Sequence, residues 1–293
     1  MTEQGALDLA VPPRLFSATP SRLTSWLDCP RRYRFSYLDR PTPAKGAPWA
    51  HNSVGAAVHA ALAAWWSLPV EQRTPEAVRR LIHDKWEPLG FRDDEHASAW
   101  RDRAADMAQR YVETLDPAHE PLGVERTVAM KTGRLALSGR IDRLDRRGDE
   151  LVIVDYKTGR HVLTTDDARG SLALAIYAAA AASTMRLPCH RVELHHLPSG
   201  EVVVWEHTEQ SLARQLARVE DIGVELAEVH AASAAAGDDR DAMEELFPSR
   251  PGPQCGWCDF RAHCAAGQQA APQPVRPWAG LAEEIVSTID DSA

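Results

Sequence analysis

Gly139-Arg140-Ile141-Asp142-Arg143-Leu144 and Leu151-Val152-Ile153-Val154-Asp155-Tyr156-Lys157-Thr158-Gly159 are two runs rich in β-branched and aliphatic residues. The segment between them, 145–150, is polar and contains Gly148, so the pair is expected to fold as a β-hairpin. Side chains alternate faces along a strand, which puts Asp155 and Lys157 on one side and Tyr156 on the other.

A carboxylate that closes a run such as Leu-Val-Ile-Val must be paired or bound to a cation, because burying it alone is costly. Two arrangements meet that requirement. A divalent ion can bridge Asp142 and Asp155, or Asp155 can form an ion pair with Lys157 or an arginine at a sheet edge.

The chain has 293 residues and 44% hydrophobic content, enough for an ordinary core. No apolar run approaches the roughly 20 residues of a membrane span. Met1 to Ala10 is neither basic nor followed by an apolar core, so a cytoplasmic location with no membrane partner is expected. The formal net charge of −9 is unevenly spread. Residues 11–50 hold seven Lys and Arg against two acids, whereas residues 201–245 hold three against twelve. The basic part is Arg14, Arg22, Arg31, Arg32, Arg34, Arg40 and Lys45, interleaved with Trp26, Tyr33, Phe35 and Tyr37. That mixture suits phosphates and unstacked bases, and it also suits a solvated helix face with a few buried aromatics.

Residues 1–13 lack periodicity and are expected to be a loose tail. Thr19-Pro20 signals a helix start, and Pro30 opens a second helix after Cys29. Helices are expected over 54–68, 74–88, 97–115, 168–185 and 210–231, with strands over 124–130 and 135–137 leading to Asp142. A second hairpin spans 191–197 and 201–207, and Trp278 to Ile289 has the pattern of a short amphipathic helix. His59 lies beside the apolar stripe of its helix and shares a face with Gly55. It is either a core histidine or a ligand. Glu125 is either a support for the acidic pair or a partner of Arg126 or Lys131, and Tyr177 either contacts a phosphate or is buried.

Five cysteines in a chain with no export signal fit metal ligation better than a disulfide framework. Cys255, Cys258 and Cys264 are clustered, Cys29 is remote, and Cys189 is left over as a buried thiol. Four thiolates suit either zinc or an iron–sulfur cluster.

The Asp142 and Asp155-Tyr156-Lys157 hairpin resembles the core of the PD-(D/E)xK nucleases, specifically the RecB-type branch. Gly55-Ala-Ala-Val-His59-Ala-Ala-Leu62 is similar to a helix of that branch whose histidine binds metal, and residues 17–35 resemble its cluster-bearing entry. One N-terminal and three C-terminal cysteines resemble the four-iron cluster of AddB-type and CRISPR-associated RecB-like nucleases. The resemblance implies an α/β restriction-endonuclease-like core, a mixed sheet flanked by helices, with a four-cysteine iron–sulfur clasp joining the N- and C-terminal segments. It implies one domain over 14–270: a helical part (14–120), a catalytic sheet (121–210), and an acidic helix with a cluster-binding segment (211–270). Residues 271–293 are then a tail.

His59, Asp142, Asp155 and the Tyr156 carbonyl would bind magnesium or manganese, with Glu125 in support and Lys157 acting on water or developing charge. Cys29, Cys255, Cys258 and Cys264 would hold the 4Fe–4S cluster, and Arg31, Arg32, Arg34 and Tyr177 would contact DNA. The implied activity is exonucleolytic cleavage of single-stranded DNA ends in repair, with a helicase or another repair or CRISPR protein as partner. One departure is Ala173, four residues before Tyr177, where the branch usually has glutamine. It supports the alternative of a catalytically weakened DNA-end-binding subunit of a helicase–nuclease complex.

Overall fold

The computed structural model describes residues 15–237 and 239–281. Its centre is a mixed sheet made of β1 (Phe16–Ala18), β2 (Gly123–Lys131), β3 (Leu135–Arg147), β4 (Glu150–Lys157), β5 (Arg191–His196) and β6 (Glu201–Glu206). β3 is the spine. β2 pairs antiparallel along one edge, while β1, parallel, and β4, antiparallel, share the other edge at opposite ends. On that shared edge, residues 138–142 lie between the two partners, and there β3 and β4 part company. β4 continues as the parallel neighbour of β5, which pairs with β6.

Ten α-helices among the described residues clothe the sheet. On one face α3 (Ala50–Trp66), α4 (Pro75–Lys85) and α5 (Asp94–Val112) pack Val58, Leu62, Ile82 and Tyr111 against Val152, Val154 and Tyr156. On the other face α7 (Leu172–Met185) covers Leu151, Ile153 and Val192 with Leu174, Ala178 and Ala181. α7 is hydrophobic nearly all round, as its burial between sheet and helices requires. A third cluster joins Leu23 and Trp26 of α1 (Pro20–Asp28), Tyr33 of α2 (Pro30–Tyr37) and Val219 and Leu226 of α8 (Glu209–Ala236) to Leu135 and Leu137. The remaining helices are α6 (Thr165–Gly170), α9 (Arg240–Leu246) and α10 (Ala265–Ala270). Side chains of Thr19, Thr74, Asp93, Ser171 and Thr208 accept backbone N–H bonds at helix starts. Each such cap is worth about 1 kcal/mol.

Several expected boundaries are corrected. The first hairpin turn is only Gly148-Asp149, because β3 runs on to Arg147. Asp145, expected in the turn, is a buried strand residue that receives Arg143, Arg147 and His119. The helix expected over 168–185 breaks at Ser171, whose extended backbone ends α6 and whose hydroxyl caps α7. Residues 278–281 form a turn, and the rest of the expected closing helix lies outside the described residues, as do Arg14 and the N-terminal tail. The segment after residue 270 returns to the core: the Pro277 carbonyl accepts from Ala50 N–H, and Leu281 is buried.

Candidate metal centre

The site lies where β3 and β4 diverge. The ladder between them ends at Arg143 and Val154, so the next N–H on β4 that turns toward β3, that of Tyr156, lacks a backbone partner. Asp142 Oδ2 fills the place, accepting that N–H at 2.7 Å. In an extended residue the carbonyl points to the same edge as the N–H, so the Tyr156 carbonyl faces this gap too.

α3 supplies the imidazole. Gly55 lets the helix close on the end of β4, since a Cβ there would meet Thr158 Oγ1 at 3.3 Å. One turn further, His59 Nδ1 lies 3.2 Å from Asp142 Oδ1, its ring set edge-on to the buried Tyr156 ring. On β2, Glu125 stands between the pairs Val124–Arg143 and Arg126–Ile141, opposite Asp142. His59, Glu125 and Asp142 each offer a ligand atom, and these atoms lie within 4.8 Å of one another. Glu125 is paired with Arg140 rather than with Arg126 or Lys131.

Asp155 and Lys157 form an ion pair on the next strand, as their shared face predicts. Burial raises the Asp155 pKa and Asp142 adds to the rise, while Lys157 pulls against it. Its Oδ2 is the oxygen that faces the Lys157 ammonium. Burial lowers the affinity of His59 for a proton, but the hydrogen bond and charge of Asp142, with Asp155 and Glu125, leave its pKa raised. The Tyr177 ring lies on Gly139, the glycine of the open edge, and burial plus Asp155, Asp142 and Glu125 push its pKa up to about 12. A raised imidazole, a phenol held neutral and a buried carboxylate mark a crowded pocket of negative charge. A divalent cation would relieve all three.

A groove of about 680 Å³ runs past His59, Glu125, Arg140 and Asp142. A second cavity of about 570 Å³ lies beside Lys157, lined by Ser171, Asp166 and His196.

Beneath the site is a charged floor that alternation along β5 foreshadows through Arg191, Glu193 and His195. Glu193 receives Arg147 at 2.7 and 3.0 Å, Arg191 at 2.7 Å and His195 at 3.0 Å. Burial alone would raise its pKa, but these bonds hold it far below the usual carboxylate range. Tyr111 connects the web to Arg143 and His195, and Trp66 donates to the Tyr156 hydroxyl. The signal for this floor was the run of ionisable residues two apart in strands otherwise apolar.

The four cysteines are brought together elsewhere. Cys29, Cys255, Cys258 and Cys264 line one cavity of about 400 Å³, all as free thiols, while Cys189 is buried apart. The backbone N–H groups of Arg250 and Gly267 point at the sulfurs of Cys29 and Cys264, at 3.5 and 3.3 Å. Among the described residues no three of these thiols converge within 4.8 Å. Arg31 and Arg32 line this cavity, not the metal groove, and are paired with Glu244 and Asp28; Arg34 is paired with Asp39.

A model of the PD-(D/E)XK nuclease superfamily matches residues 17–265. The chain belongs to that superfamily. Membership makes it a nuclease and implies a divalent metal, for which the acidic pocket is the candidate site. No curated protein matches. Among solved structures, a "Putative exonuclease" from Eubacterium rectale aligns over 90% of this chain and 93% of its own at 10% identity and TM-score 0.50, a likeness of fold. The protein SSO0001 aligns over 88% and 90% at 14% identity, with TM-score 0.36. No described helix is long and apolar enough to cross a membrane.

Proposed function

We propose that this superfamily member is a magnesium- or manganese-dependent deoxyribonuclease that works exonucleolytically on single-stranded ends in DNA repair or recombination, alongside a helicase or a similar partner. The observation that carries the reading is the convergence of His59, Glu125 and Asp142 beside the Asp155–Lys157 pair. These residues, with the Tyr156 carbonyl, would hold the divalent ion, which when bound neutralises charge on the scissile phosphate and acidifies water.

The chain's own groups supply the rest. The Lys157 ammonium, half exposed and held by Asp155, orients the attacking water and faces the developing charge. Tyr177 keeps its proton at neutral pH and can donate to a phosphate oxygen. Arg140, on the groove wall, offers a cation to the backbone of the strand. Arg31, Arg32 and Arg34 are proposed to hold DNA further out, near Cys29.

The cysteine cavity is proposed to carry a 4Fe–4S cluster. Four free thiols lining one cavity, one from the N-terminal part of the chain and three from the C-terminal part, support this reading.

End-labelled single- and double-stranded DNA incubated with manganese tests the activity. Cleavage by the wild type that is lost in both Asp155→Ala and Lys157→Ala is expected, with calorimetry showing metal affinity lost only in the first. If an intact wild type cuts nothing with any divalent ion, the end-binding alternative takes its place, and Ala173→Gln becomes the variant to assay.

A further inference from the structure

Trp257 comes from the far end of the chain to meet Trp49 and His51, and His51 lines the metal groove. Ring centroids of Trp49 and Trp257 are 5.1 Å apart, and His51 lies 6.2 and 6.1 Å from them. Trp257 sits between Cys255 and Cys258 and is 38% exposed, the one aromatic among the exposed large hydrophobic side chains of the described residues. Trp49 caps the start of α3, and its indole N–H is pinned by Asp259 Oδ1 at 2.8 Å. His51, Gly55 and His59 line the metal groove together. They recur every four residues, so His51 stands about 12 Å along the helix axis from His59. That distance spans about three nucleotides at the stacked rise of about 3.4 Å.

We propose that Trp49, His51 and Trp257 form a stacking subsite for the bases of an unpaired nucleic-acid strand whose backbone continues into the metal groove. The inference rests on the nuclease reading and adds where, and by which face, the strand is recognised.

Three observations select this occupant. His51 belongs both to the ring cluster and to the groove that holds the acidic centre, so the two adjoin. Cations flank the rings: Arg160, on the loop after β4, is close enough to act on His51 and has no ion pair among the described residues, and Lys45 lines a hollow shared with Trp49. Gly280 packs on one side of the His51 ring, and burial and Arg160 lower its pKa toward the neutral form, so His51 lines the passage between the indoles and the groove. Aromatic rings beside cations suit unstacked bases on a phosphate backbone, whereas duplex DNA keeps its base faces covered. A pinned indole loses little freedom on binding.

Fluorescence anisotropy with a labelled thymidine oligonucleotide, metal chelated so that no strand is cut, tests the subsite. The comparison ligands are a duplex of equal length and an oligonucleotide in which abasic sites replace the bases. Trp257→Ala is expected to weaken single-strand binding roughly 5- to 100-fold, with Trp257→Phe restoring most of it. His51→Ala should act in the same direction. The salt slope should not change, because no phosphate contact is lost. The abasic strand, tested on the wild type, should bind as weakly as the thymidine strand binds Trp257→Ala, which keeps the test valid even if a variant misfolds. Equal binding of abasic and base-bearing strands, or Trp257→Ala binding like the wild type, overturns the proposal. Cleavage that persists in that case leaves the nuclease reading standing, and base-dependent binding without any cleavage removes that reading alone.

Discussion

Glu125 holds its backbone at φ +48°, a left-handed conformation that costs a residue with a side chain about 1–3 kcal/mol. The strain puts its carboxylate opposite Asp142. Glu125→Asn, which tolerates that backbone and removes the charge, should keep or raise the thermal midpoint while weakening manganese binding in calorimetry. A midpoint lowered by several degrees would show that the Arg140 pair matters more than the strain. His59 gives a second expectation. Its folded pKa is raised by the Asp142 hydrogen bond and the neighbouring carboxylates against the opposing effect of burial, so a metal must compete with a more tightly held proton. Apparent metal affinity should therefore rise with pH and level off above the folded pKa of His59, and the rise should be smaller in His59→Ala. At this scale the Asp155–Lys157 pair was legible because an acid ending an apolar strand needs a partner, whereas only the family resemblance singled out His59 and Asp142 as ligands. Asp145 was misplaced because Arg-Arg-Gly-Asp looks like a turn, and only a third-strand partner such as Glu193 explains arginines that continue a strand.

The hairpin's usefulness comes from its imperfection. Were β3 and β4 zipped along their full length, a backbone carbonyl would take the Tyr156 N–H and Asp142 would have no anchor. Gly139 keeps the open edge clear for Tyr177, since a Cβ there would come within 2.3 Å of the ring. Gly139→Ala should cost about 1–3 kcal/mol in urea unfolding by overpacking. Gly139→Ala should cost much less when introduced into Tyr177→Ala; an equal cost in both backgrounds would locate the strain elsewhere. Element types were readable from periodicity, and ends less so. The break at Ser171 shows why: Ala, Leu and Ile on both sides favour helix, and only a serine hydroxyl bonding Leu174 N–H marks a new start.

Across the whole molecule, the proposed cluster would tie Cys29 to a segment more than two hundred residues later, a closure worth roughly 5 kcal/mol by chain entropy. Cys29→Ser should lower the thermal midpoint and bleach visible absorption together; iron retained at wild-type stoichiometry would show that Cys29 is no ligand. Cysteine spacing made the grouping legible, because an odd number of scattered thiols fits metal ligation better than a disulfide framework. The aromatic cluster was not legible, since Trp49, His51 and Trp257 come together only when the two ends of the chain meet.

The charged floor beneath the site sets an order of events on acidification. A depressed carboxyl such as Glu193 contributes stability above its unfolded pKa of about 4.5 and surrenders it only as pH falls toward its much lower folded value. His59, with its pKa raised, takes up its proton far earlier. Mild acid should therefore empty the metal pocket while the sheet beneath it stays intact. Near pH 5 the protein would be a folded, metal-free and fully recoverable enzyme, with a native near-ultraviolet circular dichroism spectrum, rearmed by raising the pH and returning the ion.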